Sequence, residues 1–326
     1  MGPEADAARP SRDSIAPLFS DMLAVGDGHE LYVESVGHAG GIPAVYLHGG
    51  PGSGCQPDHR RLFDGERFQA ILFDQRGCGR SRPKGSREQN TLPHLIADME
   101  LIRQKFGLER WMVVGGSWGA TLALAYAEAH PVRVSGLVLR ATFLGTTAEV
   151  ETAFTSVLAR FYPELHNDFL QVLPAQERPQ PVQAYFRRIL DPDPVVHIPA
   201  ARAWHDTERA LSEITPARPR LERAQLNASQ SLPATPFMEA HYFVNDCFMR
   251  PNQLLDEADR LADIPGIIVQ GRYDLLCPPA TSQALAARWP RAEIRILEGA
   301  GHTLYDPGVR DAVMKAIADI ASRITM

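Results

Sequence analysis

The chain is predicted to form an α/β fold: a mostly parallel sheet with helices on both faces, interrupted by an all-helical insertion. Two observations carry that prediction. Short apolar bursts alternate with helical-period segments through the first half of the chain. The rhythm then stops near Phe143 and resumes only at Gly266. Strands buried on both faces read as continuous apolar runs, and a βα alternation lays helices over them.

The first strand candidate is Leu31–Val36. Ala44–Leu47 follows and ends abruptly at His48-Gly49-Gly50-Pro51-Gly52, and Gln69–Phe73 ends at Asp74-Gln75-Arg76-Gly77. Apolar residues at Leu92, Leu95, Ile96, Met99, Ile102 and Phe106 have helical spacing and predict a helix over Leu92–Phe106. Trp111–Val114 is a strand candidate that runs into Gly115-Gly116-Ser117-Trp118-Gly119. Ala120–Ala129 is a strong helix former with Pro131 just past its end. Gly136–Leu139 is again strand-like. The next stretch, roughly a hundred residues, is too long for a loop and is helical in pattern. It is rich in aromatics and punctuated by prolines. Strands return at Gly266–Gln270 and Glu293–Leu297, and a closing helix covers Val309–Ile320. No internal repeat is present.

Composition narrows the function classes. The 326 residues are 44% hydrophobic and 22% charged, ordinary globular usage. The formal net charge of −6 gives no electrostatic reason to bind nucleic acid or an anionic membrane. Cys55, Cys78, Cys247 and Cys277 form no CxxC pair and read as free thiols of a reducing, cytoplasmic setting. The N-terminal segment lacks the apolar core of a signal peptide, and no run of about 18 apolar residues is long enough to span a bilayer. The Pro-, Ala- and charge-rich leader is expected to be a loosely attached tail. Nothing in the pattern indicates an oligomeric state.

Three residues stand where nucleophilic catalysis needs them. Ser117 occupies a G-x-S-x-G turn between a predicted strand and a predicted helix, the context of a nucleophile elbow. The glycines permit a sharp turn that lifts the hydroxyl, and the helix aims its N-terminus at developing negative charge. Elbow hydrolases place the acid and then the histidine after the serine. Asp274, in Gly271-Arg272-Tyr273-Asp274, follows one late strand, and His302, in Gly299-Ala300-Gly301-His302, follows the next. Ligands of open α/β sheets bind at such carboxyl ends. Ser117 is expected to attack, His302 to shuttle its proton, and Asp274 to fix the imidazole tautomer. The His48–Gly52 turn can bring backbone amides to an oxyanion. The expected donors are the amides of Gly50 and Trp118, with Gly49 competing for the first role. His48 reads as a loop anchor, Asp74 as a structural turn residue and Asp306 as a surface turn residue.

With HGGPG at 48–52, DQRGCGRS at 74–81, NT at 90–91, GGSWGATLALAYAEAHP at 115–131, GRYD at 271–274 and GAGH at 299–302, the sequence resembles the proline iminopeptidase family of α/β hydrolases. The likeness runs from about Asp21 to the C-terminus. It implies the α/β-hydrolase fold, with an eight-stranded sheet and a helical cap. The implied division is a tail over 1–20, a core over 21–142 and 251–326, and a cap over 143–250. It also implies the Ser117–Asp274–His302 triad. The substrate would be a small peptide or aminoacyl amide with a free N-terminus, losing its first proline or a similar small residue through an acyl-enzyme. No metal or cofactor is implied.

Trp204-His205-Asp206-Thr207-Glu208 resembles the cap motif W-x-x-W-E and implies that Glu208 holds the substrate amine. Glu239-Ala240-His241-Tyr242-Phe243 resembles E-x-H-Y-F and implies the same for Glu239. Phe143 and Phe243 match positions lining an apolar proline pocket. Three features depart from the family: Thr207 in place of the second Trp, Ala141 in place of a Gly, and the prolines within 168–197. They leave an alternative open, an esterase, thioesterase or amidase with the same triad acting on another small substrate. A ligand sensor on this fold is the rival from another class, and the complete triad argues against it.

Overall fold

The computed structural model describes residues 15–217, 219–222, 226 and 232–324. The strands are β1 (Phe19–Gly26), β2 (His29–Gly37), β3 (Ile42–Leu47), β4 (Phe68–Phe73), β5 (Trp111–Ser117), β6 (Val134–Thr142), β7 (Gly266–Gly271) and β8 (Ala292–Leu297). They form one eight-stranded sheet in the order β1-β2-β4-β3-β5-β6-β7-β8. β2 runs antiparallel to both β1 and β4, and the other pairs are parallel.

Each strand expected from the sequence is present, and β1 is an addition. Its residues FSDMLAVG are half-exposed along nearly the whole strand, because it is an edge with one neighbour. No hydrophobic period marks it, so Phe19 and Ser20 belong to the sheet although the sequence places them in a tail. Residues 1–14 of that expected tail lie outside the described residues.

α1 (Leu92–Lys105) buries Leu92, Leu95, Met99 and Ile102, one face at helical spacing. α2 (Trp118–Ala129) is buried from Trp118 to Glu128, and small alanines let it lie close to the sheet. These two helices cover one face of the sheet. The last helix covers the other, through Val313, Ala316, Ile317 and Ile320. Along β5, Val113 joins the first apolar layer, while Met112 and Val114 join the second. The strands are thus apolar on both faces, the reason they read as unbroken apolar runs.

Between β6 and β7 no strand occurs among the described residues. α3 (Thr147–Thr152) runs through a π-turn at Ala153–Val157 into α4 (Leu158–Phe161). α5 (Pro163–Val172), α6 (Pro181–Ile189), α7 (Pro194–Ser212) and α8 (Thr235–Phe243) follow. The prolines that crowd this segment mostly open helices: Pro163, Pro181, Pro194 and Pro236 stand in first turns, where no amide donor is needed. The centre of the layer is aromatic. Trp204 stacks on Phe154 at 3.8 Å and Phe169 on Tyr185 at 4.0 Å.

Chain direction splits at β3, which has β4 on one side and β5 on the other. Leu47, the last residue of β3, pairs with Gly115 in β5. The turns leaving these two strands therefore start side by side, at the switch point where α/β sheets bind ligands.

Candidate active site

Ser117 ends β5 and caps α2 with φ 57° and ψ −127°. A non-glycine residue rarely occupies this region, at a cost of about 1–3 kcal/mol. The neighbouring glycines make the turn possible. A Cβ on Gly119 would lie 2.2 Å from the Leu47 carbonyl oxygen, and one on Gly115 would lie 2.2 Å from the Gly119 oxygen. As the N-cap of α2, Ser117 stands at the positive end of the helix dipole, where the first-turn amides have no partner within the helix.

Asp274 follows β7 and His302 follows β8. His302 Nδ1 lies 3.0 Å from each carboxylate oxygen of Asp274. With Nδ1 donating, Nε2 carries the lone pair that a base needs. Asp274 is 3% exposed, and its Oδ1 accepts the amides of Leu276 and Cys277 at 3.0 and 2.8 Å. The two strand-end turns touch at Gly271, where a Cβ would fall 2.1 Å from the Gly301 oxygen. Ser117 and His302 line one open groove.

Two residues hold the His302 turn from outside. Asp306 Oδ2 accepts the Gly301 amide at 2.8 Å, so this half-buried carboxylate organises the turn and is more than the surface residue expected. Arg140, at the end of β6, donates to the His302 carbonyl oxygen. Sequence reasoning missed that contact; the only signal was a charge inside an otherwise apolar strand.

The HGGPG turn abuts the elbow: a Cβ on Gly49 would meet the Ser117 Cβ at 3.6 Å. Gly50, with φ +109°, lines the groove beside Ser117 and Gly49. His48 is buried, and burial depresses its pKa. Its Nε2 accepts the Gln75 amide at 3.0 Å while Nδ1 meets the Gly49 oxygen at 2.9 Å, a loop anchor. Gln75 ties three turns together. Its Nε2 donates to the His48 oxygen at 3.0 Å and its Oε1 accepts Trp118 Nε1 at 2.9 Å. Asp74 accepts the amides of Cys55 and Arg80 and the Arg80 side chain. Burial opposes its charge, yet these bonds outweigh burial and hold its carboxyl below the usual range.

A pocket of about 410 Å³, counted with its opening, lies between Ser117 and the helical layer. Phe143 and Phe243 meet edge to face at 5.7 Å on its wall, with Phe154 and Trp204 beside them. Glu208 of α7 and Glu239 of α8 also line it. Glu239 is 1% exposed. Its Oε2 accepts Trp204 Nε1 at 2.6 Å, and its Oε1 has no hydrogen-bond partner among the described residues. Burial raises the pKa of both glutamates, and the charge of neighbouring Glu208 pushes Glu239 further up. Among the described residues neither makes an ion pair. The structure thus brings together all nine residues singled out from the sequence: Ser117, Asp274, His302, Gly50, Trp118, Phe143, Phe243, Glu208 and Glu239. Thr207 is buried behind them, with its hydroxyl unpartnered among the described residues.

Asp274, Cys277 and His302 offer donor atoms within 4.8 Å of one another, though the first and last already bond each other. All four cysteines are buried and free. No helix of the described residues is long and apolar enough to cross a membrane.

Residues 43–309 match the family model for the alpha/beta hydrolase fold. The chain is 41% identical over 306 residues to a proline iminopeptidase of Neisseria meningitidis, covering 93% of this chain and 96% of that one. A proline iminopeptidase of Arabidopsis thaliana is also 41% identical, over 90% of this chain and 78% of its own. Among solved structures, the proline iminopeptidase of Mycobacterium smegmatis superposes with a TM-score of 0.61 at 17% identity, over 94% of this chain and 98% of that one. An esterase from Rhodococcus superposes with a TM-score of 0.60 at 18% identity, over the same shares. Those two likenesses are of fold. The identities of 41% extend over nine-tenths of the chain or more, and the chain belongs to the proline iminopeptidase family of α/β hydrolases.

Proposed function

We propose that the chain is a serine aminopeptidase that releases an N-terminal proline from short peptides and aminoacyl amides. The observation that carries this reading is the Glu208–Glu239 pair, a half-buried and a buried carboxylate that make no ion pair among the described residues, on the wall of an aromatic pocket beside Ser117. A charge taken out of water needs a partner, and the free amine of a substrate supplies it. Proline suits the pair by donor count. Its ring ammonium has two N–H bonds, one for each carboxyl group. A primary ammonium has three, and an unmet buried donor costs about 1–3 kcal/mol. Phe143 and Phe243 cover the ring carbons.

With the amine held there, the first carbonyl lies over Ser117. The Ser117 oxygen attacks it as His302 Nε2 takes the hydroxyl proton. The amides of Trp118 and Gly50, with Gly49 as the other candidate, receive the oxyanion. One such donor is worth about 10²–10³ in rate. His302 then protonates the leaving amine. Water, deprotonated by His302, cleaves the acyl ester, which frees proline and restores Ser117.

The test is hydrolysis of proline β-naphthylamide beside alanine β-naphthylamide, N-acetyl-proline β-naphthylamide and p-nitrophenyl acetate, with Ser117→Ala as the blank. The expected result is strong preference for free proline, lost on acetylation and in the variant. Cleavage of the ester alone would refute the amine reading and leave an esterase with an altered cap.

A further inference from the structure

The Asn90-Thr91 pair has no part in the chemistry above. Thr91 caps α1. Asn90 is 1% exposed, and both the nitrogen and the oxygen of its side chain are hydrogen-bonded. Its Nδ2 donates to the carbonyls of Arg76 and Ser86 at 2.9 and 3.0 Å, and lies 3.6 Å from Met238 Sδ. Its Oδ1 accepts the Tyr242 hydroxyl at 2.7 Å, and its carbonyl oxygen meets His241 Nε2 at 2.7 Å. Met238, His241 and Tyr242 belong to α8 and flank Glu239. The loop below is firm: the Arg76 guanidinium bonds the buried Asp98 carboxylate at 2.7 and 2.8 Å and the Gln89 oxygen at 2.7 Å. The Tyr242 ring lies 4.5 Å from that of Trp118, whose amide is an oxyanion donor in the reading above.

We propose that Asn90 and Tyr242 are positioning residues: they clasp α8 to the core so that the Glu239 carboxyl stands at a set distance from the oxyanion hole. The proposal rests on the amine reading of Glu239. Substrate must meet Glu239 with its amine and Ser117 with its first carbonyl at once, so the distance between them sets cleavage after one residue. A displacement of the order of 1 Å at such a site can cost about 10²-fold in rate. Tyr242→Phe keeps the ring on Trp118 and removes only the hydroxyl.

The experiment compares proline β-naphthylamide with p-nitrophenyl cyclopentanecarboxylate, which has the same ring and no amine. The quantity read is the ratio of the two kcat/KM values. Tyr242→Phe is expected to lower that ratio about tenfold, through KM for the prolyl amide, with thermal unfolding as the check on folding. An unchanged ratio, or a loss shared equally by both substrates, overturns the clasp. His241→Ala, on the partly exposed side of the same contact, should shift the ratio the same way by less, and decides the matter should Tyr242→Phe not fold. Glu239→Gln separates the two readings. If it lowers the ratio and the clasp variants do not, the clasp fails and the amine reading stands. If none of them lowers it, the amine reading fails and the clasp falls with it.

Discussion

The carboxyl edge of the sheet and the helical cap meet at Ser117 and hold their functional side chains in different ways. At the sheet edge each reactive group sits in, or directly after, the turn that aims it. Ser117 stands between Gly115 and Gly119, and Asp274 takes the amides of Leu276 and Cys277 just ahead of it. In the cap the support comes from far along the chain. Glu239 is gripped by Trp204 of another helix, and its own helix is gripped by Asn90 of the core. The edge is built from short-range geometry and serves chemistry common to many substrates. The cap is built from long-range packing and, in the function proposed above, selects the substrate.

Variants that strike one region and spare the other sharpen this contrast. The largest effect is expected at the edge. Asp274→Asn leaves the shape but turns one of the two acceptor oxygens facing His302 into an N–H donor, which favours the wrong tautomer, so kcat should fall about 10⁴-fold for amide and ester alike. Steady-state kinetics on both substrates checks it, and a loss confined to the prolyl amide would erase the distinction between the regions.

The cap should speak through pH. Burial raises both glutamates and the Glu208 charge raises Glu239 further, so the pair keeps a proton above the ordinary carboxylate range. An incoming ammonium must displace that proton. KM for proline β-naphthylamide should therefore rise as pH falls, while KM for the cyclopentanecarboxylate ester stays level. The same sign applies to stability. The folded chain binds more protons than the unfolded one at these groups, so their contribution is fully present below the unfolded pKa and is lost as pH rises through the folded one. A KM that ignores pH between 5 and 8 would remove the proton from the pair.

Asp306→Ala frees the Gly301 amide and loosens the His302 turn without touching substrate. It should lower kcat about tenfold with KM unchanged, measured on either substrate. The smallest effect belongs to Ala141, which sits at φ +50°, a backbone region that favours glycine. Ala141→Gly should stabilise the fold by about 1 kcal/mol, read by thermal unfolding, with kinetics unaltered.

Legibility followed the same division. The elbow, its order of acid and histidine, and the α/β alternation were plain in the residues, because glycines, short apolar runs and turns are local signals. β1 was not, since an edge strand buries too little to impose a period. Asp306 read as surface because its partner is an amide, and an amide leaves no trace in a sequence. Glu208 and Glu239 could be named only through likeness to a family; alone, each looks like a charge on a solvated helix face. Trp204, Asn90 and Tyr242 had no local sign of their roles.

By itself the sequence determined the layered sheet, the strand ends that carry Ser117, Asp274 and His302, and the class of chemistry they perform. Backbone sterics and burial periodicity act over a few residues, so the amino-acid order records them directly. The tertiary structure alone decided that two carboxyl groups on separate helices line one pocket, and that Asn90 bonds Tyr242 on the helix that carries one of them. Desolvation and hydrogen bonding between distant segments exist only once the chain has folded, and the choice of substrate depends on both.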